Sequence, residues 1–275
     1  MNEVSAGPGV SRVSSAASQE HATALDTAIA AARGAGRIQK ARSAARIAVE
    51  KKGPADITTA VDRECEEFIV ELIHSRHPSH GVLGEEGAQK TTSSELLWII
   101  DPLDGTKNYA HGYGKSCVSI ALAVRGEVVL GVVYHPRADE LFIAEAGGGA
   151  TLNGSPITVS PIAALDGAMV ASALTYDGRG ADRAQLERLA RVLAAAEAVR
   201  SDGCAALDLC DVACGRLEAY FERGLQAWDL AAGALIVREA GGRVSKFQSD
   251  SFDVFGREIC ASNGRIHDAL AALLG

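Results

Sequence analysis

The 275-residue chain is long enough for one large domain or two closely packed lobes, and 47% hydrophobic residues can supply a sizeable core. Its formal net charge of -8 argues against a nucleic-acid binder that relies on a basic surface. The same acidity means that any anionic substrate must find its charge offset locally.

Residues 1–20, rich in Ser, Ala and Gly, read as a disordered or loosely attached tail. They lack the apolar stretch of a signal peptide, and no later run is long and apolar enough to span a membrane. An Ala-rich helix is expected from His21 to about Val49, with Gly34 and Gly36 predicting a kink. Residues 51–62 read as a loop. A helix over Asp62–His77 follows, with Cys65, Phe68, Ile69, Leu72 and Ile73 on its apolar side and Pro78 beyond its end. His77 and His80 flank a Pro-Ser turn and read as solvated.

Strand patterns then dominate. HGVLGEEG is a strand entering a turn, and ELLWIIDPLDG an apolar strand entering an acidic one. SCVSIALAV and EVVLGVVYHP, separated by Arg125-Gly126, predict an antiparallel hairpin. Another strand pair surrounds Gly147–Gly149, which lacks G-x-G-x-x-G spacing and reads as a turn rather than a phosphate cradle. Beyond Pro161 strands and helices alternate. Expected are a strand at AMVASAL, a helix over Asp182–Ala196 with Leu186, Leu189, Val192 and Leu193 inward, and a helix over 203–214. RLEAYFE is a strand, WDLAAGALIVREAGG a buried helix closed by Gly241-Gly242, and a last helix covers Ile266–Leu274. This order implies layered α/β structure.

Cys65, Cys117, Cys204, Cys210, Cys214 and Cys260 form no C-x-x-C pair and have no His at zinc-finger spacing. They read as reduced core residues, which suits a cytoplasmic protein.

Three acidic sites stand where strands or loops give way to turns or helices: Glu85-Glu86, Asp101 with Asp104, and Asp229. Each has an ordinary explanation alone, as solvated loop charge, turn former or helix N-cap. The D-P-L-D-G-T stretch resists that reading. A buried strand delivers two carboxylates into a Pro- and Gly-shaped turn, and the Leu103 carbonyl lies between them. Oxygen donors of this kind suit hard cations such as Mg²⁺. The amides of Gly105 and Thr106 are placed to receive a phosphate oxygen. His111 and Lys107 follow directly and read first as surface groups.

With GEE at 84–86, WIIDPLDGT at 98–106, WDLAAGALIVREAGG at 228–242 and KKGPADITTAVD at 51–62, the chain resembles the inositol monophosphatases, in segment order and spacing, over residues 21–275. The resemblance implies a layered α/β/α/β/α sandwich of the inositol monophosphatase and fructose bisphosphatase type. An N-terminal half, 21–150, would carry most metal ligands, and a C-terminal half, 151–275, Asp229 and substrate contacts.

It also implies Mg²⁺-dependent, lithium-sensitive hydrolysis of a small phosphate monoester by direct attack of metal-activated water. Glu85, Asp101, the Leu103 carbonyl, Asp104 and Asp229 would hold two or three Mg²⁺ ions. Glu85 and Thr106 would orient the water, with Asp62 behind them. Asp104, Gly105, Thr106, Gly203, Ala205, Glu222 and Asp229 would meet the substrate, with Cys204 where a hydroxyl residue is common. Lys51 matches a basic residue near the site, for which Lys52 can substitute. A homodimer is implied as well.

Cations are required in any case. Unit charges about 4 Å apart repel by roughly 4 kcal/mol at an effective dielectric near 20, and several carboxylates surround the phosphate. Inositol monophosphate or a similar polyol phosphate is the expected substrate, from Asn108-Tyr109 after D-G-T-K. Histidinol phosphate, then fructose 1,6-bisphosphate or 3′-phosphoadenosine 5′-phosphate, are the alternatives. A regulatory binding protein that keeps the fold is the alternative of another class, and the intact carboxylate set opposes a purely non-catalytic version of it.

Overall fold

The computed structural model describes residues 10–43, 48–52, 57–173 and 183–275, with side chains from residue 23 onward. Helix α1 (Val10–Arg42) leads through a short antiparallel pair, β1 (Val49–Lys51) and β2 (Ile57–Thr59), into α2 (Ala60–Arg76). Then come β3 (Gly81–Gly84), β4 (Gln89–Lys90), β5 (Leu96–Asp104), the short α3 (Thr106–Ala110), β6 (Cys117–Val124) and β7 (Glu127–His135). β8 (Glu140–Glu145), β9 (Gly149–Leu152) and β10 (Ser155–Pro156) complete an eight-stranded sheet, ordered β10-β9-β8-β7-β6-β5-β3-β4.

The chain continues with β11 (Met169–Ser172), α4 (Arg183–Ala195), β12 (Ala198–Arg200), α5 (Ala205–Ala213) and β13 (Ala219–Arg223). It ends with α6 (Ala227–Glu239), β14 (Arg243–Ser245), β15 (Glu258–Ser262) and α7 (His267–Leu274). The second sheet has five strands, ordered β12-β11-β13-β15-β14.

Five layers result. α1 and α2 cover one face of the large sheet, α5 and α6 fill the space between the sheets, and α4 and α7 cover the far side of the small one. The layered sandwich expected from the sequence is the fold observed. Composition explains the middle layer. α6 is Ala-rich, and all of Leu230–Val237 is buried, as a helix hydrophobic along most of its surface should be. One cluster accordingly joins Ile99, Val133 and Phe142 of the large sheet to Tyr220, Ile259 and Ala261 of the small one through Leu209 and Ile236.

Some expectations shift. α1 begins at Val10, inside the segment read as a tail, and ends at Arg42, before Val49, which is in a strand. Residues 1–9 lie outside the described region. α1 runs through Gly34 and Gly36, where a Cβ would meet the Phe68 and Tyr134 rings at 2.1 and 2.4 Å. Close helix packing explains those glycines, and the kink is not needed. The 51–62 stretch holds β2 and the start of α2 rather than one loop.

On α4, Val192 is buried and Leu189 packs against the outer core, but Leu186 and Leu193 are exposed. The inward arc is narrower than the periodicity suggested, because an outermost helix has neighbours on one side only. His77 and His80 are also buried, not solvated. Their rings stack 4.8 Å apart, Trp98 Nε1 donates to His80 Nδ1 at 3.1 Å, and His77 Nε2 lies 3.0 Å from Thr27 Oγ1. The turn folds back onto α1 and β5. All six cysteines are free, five buried and Cys214 half-buried. Among the described residues no helix is long and apolar enough to cross a membrane.

Candidate active site

β5 lies parallel to β3 and antiparallel to β6 and is buried along its far half. Its ladder with β6 pairs Asp101 with Ser119 and next Asp104 with Cys117, so β5 carries one residue more than its partner across that interval. This is a bulge, and Pro102, which has no N–H to give, sits where pairing lapses. Residues three apart on a regular strand point to opposite faces. The extra residue undoes that alternation and leaves Asp104 close enough to raise the proton affinity of Asp101.

The turn beyond is built by local bonds. Asp101 Oδ1 accepts the Leu103 amide at 2.9 Å. Gly105 has φ +85°, and a Cβ there would lie 2.6 Å from the Lys115 carbonyl oxygen, so only glycine fits. Thr106 follows as the first residue of α3. Its hydroxyl lies 2.8 Å from Asp62 Oδ1 and 3.0 Å from the Leu103 carbonyl oxygen. Asp62, buried at the start of α2, accepts at Oδ2 from the Thr59 amide at 2.8 Å and the Thr59 hydroxyl at 2.5 Å. This capping box fixes the carboxylate that faces Thr106.

Glu85 follows the end of β3, where its amide donates to the Ile100 carbonyl at 3.2 Å. Glu66 of α2 holds that turn by accepting the Glu86 and Ala88 amides, each at 2.9 Å. Lys52 Nζ lies 3.4 Å from Glu85 and also contacts Glu86, whereas Lys51 is exposed in β1. Of these two lysines, Lys52 is the one in contact with Glu85.

The other arm comes from the middle layer and the small sheet. Asp104 Oδ2 accepts the Ala206 amide of α5 at 2.7 Å, which sets it at a helix N-terminus where negative charge is favoured. Cys204 Sγ lies 3.2 Å from the same oxygen. Gly203 and Ala205 flank that contact. Asn108 Nδ2 donates to the carbonyls of Lys115 at 2.8 Å and Asp202 at 2.7 Å, tying this loop to α3. Asp229 is the third residue of α6 rather than its N-cap: its Oδ2 accepts the Gln226 amide at 2.7 Å. Glu222 on β13 accepts the Tyr220 hydroxyl at 2.5 Å.

These acids resist ionisation together. Burial, then the charges of Glu85, Asp104 and Asp229, push Asp101 well above the usual carboxylate range. Burial and Asp104 do the same to Asp229. Asp104 is raised by burial against the opposing hydrogen bonds from the Ala206 amide and Cys204. Burial pushes Glu222 up to about 7, with the Tyr220 hydroxyl bond opposing. Among the described residues no Lys, Arg or His lies within ion-pair distance of Asp101, Asp104 or Asp229. Buried carboxylates that repel one another, with a backbone carbonyl in the same turn, are a donor set suited to a hard divalent cation. The residues fit Mg²⁺.

Sequence reasoning had singled out Glu85, Asp101, Leu103, Asp104, Thr106, Asp62, Asp229 and Glu222. Their bonds and mutual charge effects place them around the β5 turn and the starts of α2, α5 and α6. Lys107 and His111 are exposed on α3 and at its end. Missed were the supports: Thr59, Glu66, the Ala206 amide and Tyr220. Only Thr59 had a local signal, an S/T-x-x-D capping pattern before an apolar run.

The model of the inositol monophosphatase family matches residues 20–275, and the chain belongs to that family. It is 44% identical to an inositol-1-monophosphatase of Synechocystis over 82% of the chain and 79% of that relative. It is 41% identical to the Nus factor SuhB of Vibrio cholerae, covering 88% of the chain and 91% of the relative. The crystal structure of the extragenic suppressor protein SuhB from Bartonella henselae superposes with a TM-score of 0.88 at 37% identity, covering 92% of this chain and 98% of that one.

Proposed function

We propose that the chain is a Mg²⁺-dependent phosphomonoesterase acting on inositol monophosphate or a similar polyol phosphate by direct attack of water. The observation that carries this reading is the Thr106–Asp62 pair set beside Asp101, Asp104, Asp229 and Glu85. These four carboxylates and the Leu103 carbonyl would hold the cations. Bound Mg²⁺ supplies Lewis-acid polarisation of the phosphoryl group and a lowered pKa for the attacking water.

The chain's own residues do the rest. Thr106 directs its hydroxyl proton toward Asp62, which leaves the Thr106 oxygen free to accept a hydrogen bond from the water. Glu85 orients that water from the other side, and its proton passes through Thr106 toward Asp62. The amides of Gly105 and Thr106 receive a phosphate oxygen. Glu222 contacts substrate hydroxyls, with Gly203 and Ala205 beside it. Lys52, paired with Glu85 and Glu86, steadies the acidic edge.

Phosphate release with Mg²⁺ tests this across inositol 1-phosphate, histidinol phosphate, fructose 1,6-bisphosphate and 3′-phosphoadenosine 5′-phosphate. Preference for the inositol ester supports the reading, and preference for another compound moves the substrate to that one. Silence across the panel from folded, Mg²⁺-loaded protein overturns it. Lithium inhibition, a homodimer and a reducing, cytoplasmic setting suited to six free thiols belong to the same reading.

Relatives named Nus factor favour a second reading, a regulatory binding role beside catalysis. A pull-down in which Asp101→Asn retains the partners of the natural chain would support it.

A further inference from the structure

Beside Asp104, two thiols converge. Cys117 opens β6 and Cys204 precedes α5, 87 residues later, yet their sulfurs lie 3.7 Å apart. Asp104 Oδ2 lies 3.2 Å from Cys204 Sγ and 3.9 Å from Cys117 Sγ. Both thiols are buried, and Asp104 is the most exposed of the three, at 9%. No step of the proposed hydrolysis uses either thiol.

The triangle has a specific shape. Tetrahedral zinc, with sulfur at about 2.3 Å and carboxylate oxygen at about 2.0 Å, sets two sulfurs about 3.8 Å apart and sulfur about 3.5 Å from oxygen. The observed sulfur separation matches the first spacing, and the two sulfur–oxygen distances bracket the second. Thiolates select zinc-like cations over Mg²⁺, whereas the acidic set around Asp101 has the opposite preference.

We infer that Asp104, Cys117 and Cys204 form a site for a thiophilic divalent cation of the Zn²⁺ class, distinct from the hard-cation site but sharing Asp104 with it. Loading releases the two thiol protons to solvent. Asp104 Oδ2 keeps a lone pair for the Ala206 amide while binding the cation with the other. A cation held there withdraws charge from the carboxylate that the phosphatase reaction needs, so Zn²⁺ opposes Mg²⁺ activation. That inhibitory consequence rests on the proposed phosphatase role of Asp104, and the binding itself does not.

Co²⁺ serves as the probe, added to the reduced, metal-free protein under argon. The expected result is the near-ultraviolet charge-transfer absorbance of a cobalt–thiolate bond, displaced by Zn²⁺. Cys204→Ser and Cys117→Ser each abolish it, with folding checked by circular dichroism, while Cys214→Ser leaves it intact. Zn²⁺ affinity falls by more than about a hundredfold in either cluster variant, beyond what loss of an outer-shell partner costs. Absence of the band in the natural chain, or its loss only in Cys214→Ser, overturns the site.

Asp101→Asn retains the band even though hydrolysis fails. A chain that shows the band but hydrolyses nothing therefore refutes the phosphatase reading alone. In the active natural chain Zn²⁺ raises the Mg²⁺ concentration needed for half-maximal activity, and in Cys204→Ser it does so at least about tenfold less effectively. Equal inhibition of both overturns the competition at Asp104.

Discussion

The two arms of the site are held in different ways. Around Asp101–Thr106 the backbone is shaped by a bulge and a glycine with φ +85°, a threonine is bonded to Asp62 of α2, and only Asp104 leans on the distant Ala206 amide. Around Gly203–Asp229 the functional groups come from α5, β13 and α6: Glu222 and Asp229 are held by near neighbours, Tyr220 and the Gln226 amide, while the loop before α5 is tied across about a hundred residues to Asn108 and Asp104. The first arm concentrates charge and orients water. The second sets where that charge points and what lies beside it. Chemistry is thus expected to fail when the first arm is altered, and substrate preference to drift when the second is.

The largest effect tests that asymmetry most directly. Asp101→Asn is expected to lower kcat for phosphate release by on the order of 10³-fold, because a cation ligand is lost. Thr106→Val comes next. It keeps the shape but removes the hydroxyl between Asp62 and the Leu103 carbonyl, and kcat should fall about ten- to a hundredfold while KM changes little. A larger effect on KM than on kcat would put Thr106 in substrate binding instead.

Gly105→Ala is expected to destabilise by about 1–3 kcal/mol in urea unfolding, from its positive φ and the 2.6 Å approach of the Lys115 carbonyl. An unchanged midpoint would mean that the turn relaxes and the first arm is not rigid.

The smallest effect belongs to the second arm. Glu222→Gln should raise KM for a polyol phosphate about two- to tenfold with kcat nearly kept. Its pH signature is more telling. Unfolded, a glutamate ionises near about 4.3. Folded, burial holds Glu222 up to about 7. Between those values the folded chain keeps a proton that the unfolded chain has lost, so Glu222 makes stability fall as pH rises through that window. Below it the contribution is absent. Metal-free Glu222→Gln should therefore lose part of the decline between about pH 4 and 7. An identical pH profile would show that Glu222 is solvated rather than buried.

The same division explains what the sequence disclosed. Asp101, Asp104 and Thr106 stand within six residues, and their turn is encoded by Pro102 and Gly105 beside them. The layered order of helices and strands was equally plain, because apolar periodicity is a local signal. Asp229 was recognised through the resemblance, but its position in the first turn of α6 depends on the Gln226 amide. The Ala206 amide could not be read from composition, since any residue but proline supplies one. Cys204 could be noticed as a departure, yet its meeting with Cys117 depends on how α5 packs against β6. His77 and His80 were misjudged for a related reason. Polar residues beside a proline look like surface until the fold brings Trp98 and Thr27 to them.

One consequence of the middle layer concerns autonomy. Strands from Gly81 to Pro156 build the large sheet, and strands from Met169 build the small one, which invites division of the chain between them. But α5 and α6 are encoded with the small sheet and are packed into the large one, where Ile99, Val133 and Phe142 share a cluster with Leu209 and Ile236. A fragment ending near residue 160 would leave that face of its sheet bare, and the complementary fragment would leave two apolar helices facing water. The two sheets are separate in topology yet share one core cluster. Splitting the gene between them should yield two insoluble pieces that recover solubility only when expressed together.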